Sequence, residues 1–373
     1  MILVESPNAP TAAPTRMRRL TPPRASALRA ALLCVLAAAP AIATAEAGQG
    51  SGSGTKASAT ASSPTYSAAA ARARRARLAR ARASARAREL AAASVPRYKL
   101  DEQGTLVPDV RAAAALIYNP ASGQVIWESG GFNQHSIASI TKVMTAICFL
   151  ETGPDLTEEV TVKRADVVAA STTFLRANER VRLQDVLHLS LVASDNVAAR
   201  TLARASSEDP DEFVARMNEK AAELGLTSTA FADPSGLDDR NVSSAYDLAR
   251  LIAYASEDEF LSTVMRTEEY AFRTSRRTLT IHSTNQLLRT TDLDVRAGKT
   301  GFISKSGNCL ATLLRLPDLN QTVAVVVLGA RSNAGRFWET RHLFNWLASK
   351  ATSLLADGTA PQGGHQAPVP QPE

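Results

Sequence analysis

Three short strings, met in order along the chain, hold the residue types of acyl transfer: Ser139-Ile-Thr-Lys142, Ser194-Asp-Asn196 and Lys299-Thr-Gly301. They supply a nucleophilic hydroxyl, an amine to take its proton, a second hydroxyl, an amide and a second ammonium, which making and breaking a serine ester requires. Ser139 and Lys142, three residues apart on a helix, share one face, so the amine can reach the hydroxyl. At the first helical turn, unpaired backbone N–H groups favour the negative charge that develops on attack. An ordinary lysine, with a pKa near ~10.4, is protonated at neutral pH and accepts no proton. Burial and the nearby Lys299 charge are therefore expected to lower the Lys142 pKa until it acts as base.

Context separates these strings from chance matches. Ser53-Gly-Thr-Lys56 fits the first pattern and Ser306-Gly-Asn308 the second. Taken singly, Ser139 also reads as a helix N-cap, Lys142 as a surface charge and Lys299-Thr-Gly301 as a polar turn. Ser139 to Lys142, however, opens the apolar run Val143-Met-Thr-Ala-Ile-Cys-Phe-Leu150, whereas Ser53 lies in a Gly/Ser/Thr/Ala stretch unable to build a core. A triad through His135 has little support, because Lys142 already fills the base role. No His/Cys/Asp/Glu grouping has metal-ligand spacing, so no metal site is assigned.

The elements that must position these residues follow from periodicity. Ala113 to Tyr118 and Gln124 to Trp127, joined by Asn119-Pro-Ala-Ser-Gly123, predict a hairpin. Leu183 to Leu191 and Val197 to Ala203 predict helices on either side of Ser194-Asp-Asn196, and helical periodicity continues through 213–224 and 246–254. Asp294 to Lys299, Asn308 to Arg315 and Gln321 to Leu328 predict an antiparallel meander with Lys299-Thr-Gly301 at a strand end, followed by a helix from about Arg336 to Lys350. The expected fold is α/β in the α+β sense: an antiparallel sheet from both ends of the domain, flanked by helices, with an inserted helical lobe. The substrate belongs in the cleft between them. There Gly301 lets a peptide lie along the strand edge, Lys299 and Thr300 bind a carboxylate, and the N–H groups of Phe302 and Ser139 form an oxyanion hole.

Charge divides the chain. The formal total is +6, yet residues 1–100 hold sixteen Lys/Arg against three Asp/Glu, and the remainder holds 26 against 33. Residues 1–45 read as a secretory signal: Arg16 to Arg29 supply a basic region, Ala30 to Ala39 a short apolar core and Ala43-Thr-Ala45 a cleavage site. Residues 46–106 read as a disordered Ala/Arg/Ser-rich basic arm, 107–350 as the catalytic domain and 351–373 as a disordered Pro/Gly/Gln tail. The Arg72–Arg88 tract suits an anionic membrane or wall surface; export makes nucleic acid an unsuitable partner. Cys148 and Cys309, each in an apolar element, are expected to be buried free thiols.

The strings Ser136 to Thr145, Ser194 to Ala199, Asp233-Pro-Ser-Gly-Leu237 and Gly298 to Phe302 resemble the low-molecular-mass penicillin-binding proteins of the D-alanyl-D-alanine carboxypeptidase/endopeptidase family, peptidase family S11. The resemblance covers about Val107 to Lys350. It implies the serine β-lactamase/DD-peptidase-like transpeptidase fold and a periplasmic hydrolase remodelling peptidoglycan, the polymer that holds cell shape. It also implies stem peptides as substrate, β-lactams as inhibitors and no cofactor. By carry-over, Ser139 is the nucleophile, Lys142 the acylation base and Ser194 the proton relay. Asn196 holds the substrate amide, Lys299 and Thr300 the carboxylate, and Arg336 a basic position near the site. Asn241 to Leu248 and Ser283-Thr-Asn-Gln-Leu287 look most like the penicillin-binding protein seven type, a DD-endopeptidase that cuts cross-links, while Arg336 points towards a carboxypeptidase. A serine β-lactamase would need a deacylating Glu after the second motif, and none occurs between Glu223 and Glu257. A non-catalytic wall-binding module of the same fold would have no need of Ser139, Lys142 and Lys299 together.

Overall fold

A computed structural model of the chain describes residues 68–356 apart from Thr172, Ser207, Glu208, Asp318 and Asn320. The expected signal lies outside the described residues, as do the Ser53 string and the tail beyond Ala356. Helix α1 (Ala68–Ser94) is followed by a small hairpin, β1 (Tyr98–Leu100) with β2 (Leu106–Pro108), and a larger one, β3 (Ala114–Asn119) with β4 (Gln124–Ser129). Next come β5 (His135–Ser136), a 3₁₀ turn (Ala138–Thr141), α2 (Lys142–Glu151), β6 (Glu159–Thr161), α3 (Arg164–Val167) and β7 (Arg180–Arg182). The helical lobe continues with α4 (Leu183–Leu191), α5 (Asn196–Ser206) and α6 (Pro210–Glu223). Then β8 (Val242–Ser243) precedes α7 (Ala245–Glu257), α8 (Glu259–Met265), and the hairpin β9 (Glu269–Arg273) and β10 (Thr278–His282). The chain returns to the sheet through β11 (Asp294–Ile303), β12 (Gly307–Arg315) and β13 (Thr322–Ala330), and α9 (Asn333–Ala356) covers it.

The main sheet has the order β11-β12-β13-β3-β4, antiparallel at every pair, so strands from both ends of the domain meet at β13 and β3. Its middle strands read as continuous apolar runs because both faces are covered. Along β13, Ala324, Val326 and Leu328 face the helical lobe, while Val323, Val325 and Val327 face Phe337, Leu343, Phe344 and Leu347 of α9. Each fully buried Val or Leu contributes roughly 1.5–3 kcal/mol, so this double-sided packing fixes the sheet on which the site is built.

Three expectations are corrected. The arm is ordered from Ala68: alanines of high helix propensity carry α1 despite the repulsion of its arginines, and β1 pairs with β2. The last helix runs past Lys350 to Ala356. Lys299-Thr-Gly301 lies inside β11, its residues paired with Ala311, Leu310 and Cys309, because β11 continues to Ile303 before turning. Cys148 and Cys309 are buried free thiols, and burial raises their pKa to about 12 and about 11, which keeps them unreactive.

Candidate active site

Ser139 and Lys142 stand at the two ends of the 3₁₀ turn, where side chains three residues apart eclipse one another. Ile137 and Ile140, both buried, fasten the turn to the core, and Ala138 takes φ 47°, a strained value for a residue with a Cβ. Lys142 Nζ lies 2.9 Å from Ser139 Oγ, 2.7 Å from Asn196 Oδ1 and 2.5 Å from the Ser235 carbonyl. A neutral amine has two N–H donors and one lone pair. Asn196 and Ser235 offer only acceptors, so they take the donors and leave the lone pair for the Ser139 hydroxyl.

Burial lowers the Lys142 pKa to about 7; Asp233 and Asp195 pull it upward, and Arg200 lowers it further. Lys299 is depressed as well: burial first, then Lys142, then Arg336 hold its pKa well below the lysine range. His135 bonds the Ser136 carbonyl through Nδ1, and its other nitrogen lies close to Gly329, away from the Ser139 turn.

Ser194 sits in the break between α4 and α5 at φ 60°, and that strained geometry brings its Oγ to 2.8 Å from Lys299 Nζ. Lys299 Nζ also bonds the Thr300 carbonyl at 3.0 Å. Asn196, expected to hold the substrate amide, lies in the cleft lining. Its Oδ1 accepts from Lys142 Nζ, and its Nδ2 donates to the Ala170 carbonyl at 2.9 Å and Ser171 Oγ at 3.3 Å, which orients the lysine and the 169–171 segment.

Gly301 is where the edge strand touches the Ser139 turn: a Cβ there would lie 2.4 Å from the Ile137 carbonyl. Gly236 does the same from below, with φ 78° and a Cβ position 2.1 Å from the Ala138 carbonyl. Arg336, at the start of α9, is buried behind β11 and donates from Nη1 to the Gly301 carbonyl at 2.9 Å and the Cys309 carbonyl at 3.1 Å. These elements enclose a cleft of about 510 Å³ lined by Ser139, Ser194, Asn196, Thr300, Phe302 and Arg336, among others. Phe302 is 59% exposed at its rim.

Three contributors lie in strings that carried the family resemblance, without a role assigned to them there. Ser235 acts through its carbonyl, which no residue type announces. Asp233 shapes its loop by accepting from Ser235 N and Oγ, Gly236 N, Asp238 N and Asn241 Nδ2. Burial raises its pKa, but those bonds outweigh it and hold the carboxyl below the usual range. Thr284, also in the cleft lining, places its hydroxyl 2.6 Å from that of Thr300. The Ser283-Thr-Asn string that carries it was visible as a family resemblance, not as a partner of Thr300. No carboxylate lines the cleft among the described residues.

Known proteins are similar to this chain. A D-alanyl-D-alanine endopeptidase of Haemophilus influenzae is 33% identical over 227 residues, 60% of this chain and 78% of that protein. The D-alanyl-D-alanine carboxypeptidase DacF of Bacillus subtilis is 30% identical over 59% of this chain but 57% of its own length. The Streptomyces K15 DD-transpeptidase superposes with a TM-score of 0.60 at 26% identity, covering 64% of this chain and 97% of that one. The family model for D-alanyl-D-alanine carboxypeptidase matches residues 101–332, a span running from the small N-terminal hairpin past the last sheet strand. With all three motifs inside that span and gathered around one cleft, the chain belongs to the D-alanyl-D-alanine carboxypeptidase family, peptidase family S11.

Proposed function

We propose that this serine DD-peptidase is an endopeptidase that cuts cross-links between peptidoglycan stem peptides through an acyl ester on Ser139. The observation that carries the reading is the Lys142 amine, buried, held by two acceptors and turned to the Ser139 hydroxyl at 2.9 Å beside an open strand edge. A stem peptide lies along β11 with its carboxylate toward Lys299 and Thr300. Ser139 Oγ then attacks the carbonyl of the penultimate D-residue while its proton passes to Lys142 Nζ. The oxyanion is received by the N–H groups of Ser139 and Phe302, each such donor being worth ~3 kcal/mol in the transition state. As the intermediate collapses, the C–N bond breaks and Ser194 relays a proton to the departing amine. Water then hydrolyses the ester and frees Ser139. β-Lactams, which mimic the D-alanyl-D-alanine end, acylate the same hydroxyl.

The endopeptidase preference rests on relatives: the first three curated relatives, at 33%, 32% and 30% identity, are D-alanyl-D-alanine endopeptidases. Arg336, buried beside the cleft, favours the second reading, a carboxypeptidase that removes a terminal D-alanine. The basic, apolar and small-residue succession over 1–45 supports export to the periplasm. A fluorescent penicillin labels the wild type and not Ser139→Ala; a variant that still labels covalently removes the assignment. Mass spectrometry of cross-linked dimer and of pentapeptide decides between endo- and exo-cleavage, with loss of dimer the expected result.

A further inference from the structure

Helix α1 takes no part in the cleft, and its chemistry is unlike that of any other element. Over 27 residues it carries eight arginines against one carboxylate, Glu89, and Arg72, Arg74, Arg75, Arg77, Arg80, Arg82 and Arg88 are exposed. Among the described residues the first ion pair met along the chain is Arg97 with Asp109, beyond this helix. At about 100° per residue the arginines fall on every side of the helix. Pairs such as Arg72 and Arg75, or Arg77 and Arg80, stand one turn apart and repel. The helix is roughly 40 Å long and packs against α9, so it stands as a charged rod on the catalytic domain.

We propose that α1 is a docking rod for the anionic peptidoglycan polymer itself, holding the enzyme on its substrate. This rests on the DD-peptidase reading above. A helix that lies on a membrane has one apolar face, whereas Leu78 is the only large apolar side chain between Arg72 and Arg88. A flat bilayer also meets only one side of such a rod. A network of stem peptides, each bearing carboxylates, surrounds it and engages arginines on all sides. The need for such a rod is electrostatic: beyond residue 100 the chain holds 26 Lys/Arg against 33 Asp/Glu, so the catalytic body is repelled by the polymer it cuts.

The test compares the wild-type protein with a combined R72Q, R74Q, R75Q, R77Q, R80Q and R82Q variant, glutamine keeping the helix propensity. Wild type is expected to co-sediment with purified sacculi at low salt and to be released as salt rises. The variant is expected to lose co-sedimentation and to digest sacculi about tenfold more slowly, with turnover of a soluble cross-linked dimer unchanged, since only the polymer offers a second attachment. A variant that still sediments with sacculi overturns the proposal. So does wild-type protein that binds phosphatidylglycerol vesicles and not sacculi. Binding to sacculi by wild type that cleaves neither dimer nor pentapeptide would count against the DD-peptidase reading and leave the docking rod standing.

Discussion

Lys142 is expected to make the folded protein more stable as pH rises, and the size of that effect follows from its burial. In the unfolded chain the amine keeps its proton up to about 10.5, whereas in the folded protein it gives the proton up near 7. Between those values the unfolded state binds more protons, so stability increases with pH; below about 7 both states are protonated and the cost of the buried charge is complete and constant. One pKa unit corresponds to ~1.36 kcal/mol, so two pH units inside the window separate wild type from a Lys142→Met variant by roughly 2.7 kcal/mol. Methionine leaves the Asn196 Oδ1 and Ser235 carbonyl acceptors unpaired, which costs about 1–3 kcal/mol each but does not vary with pH. Lys299 titrates in both proteins and cancels apart from its coupling to Lys142.

Urea unfolding of both proteins across pH 7.5 to 9.5, a window of about two units, reads the difference directly. The same titration governs chemistry: the second-order rate of acylation by a penicillin is expected to rise with pH and level off above about 7, as the neutral amine becomes the prevailing form. A wild-type-minus-variant stability that is flat with pH refutes the reasoning. So does an acylation limb that rises only near the ordinary lysine pKa, because Lys142 would then be neither desolvated nor the base.

Gly301→Ala forces a Cβ against the Ile137 carbonyl and pushes the edge strand off the Ser139 turn; penicillin acylation is expected to fall about a hundredfold. Near-wild-type labelling kinetics would show that this contact does not set the geometry. Thr284→Val removes the hydroxyl partner of Thr300 and is expected to lower kcat/KM about tenfold, with Thr284→Ser restoring it in a steady-state assay. Arg336→Met abandons the bonds to the Gly301 and Cys309 carbonyls and is expected to cost about 1.5–3 kcal/mol in urea unfolding. An unchanged midpoint would mean that those carbonyls find other donors.

What could be read from the sequence was whatever chemistry and position are both carried by local residue types. Ala113 to Trp127 and Gln321 to Leu328 advertise strands through runs of apolar residues between turn residues, and they fold as β3, β4 and β13. Ser139 and Lys142 are legible for the same reason: three residues separate them, and a helical turn of either kind brings them together. The environment that tunes them is built otherwise. The Ser235 and Ala170 carbonyls that fix Lys142 and Asn196 are backbone atoms, available in any residue, and their loops reach the site from 93 and 26 positions away. Positive φ at Ala138 and Ser194 is imposed by tertiary packing, and neither residue type signals it. In α1 the difference has another origin: an Ala/Arg/Ser-rich composition without core-forming residues reads as disorder, whereas the helix propensity of its alanines carries a helix. Burial therefore explains both the success and the miss at Lys142. It was expected to lower the pKa and does, but the balance between Asp233, Asp195 and Arg200 that sets the value depends on loops whose approach no spacing in the chain encodes.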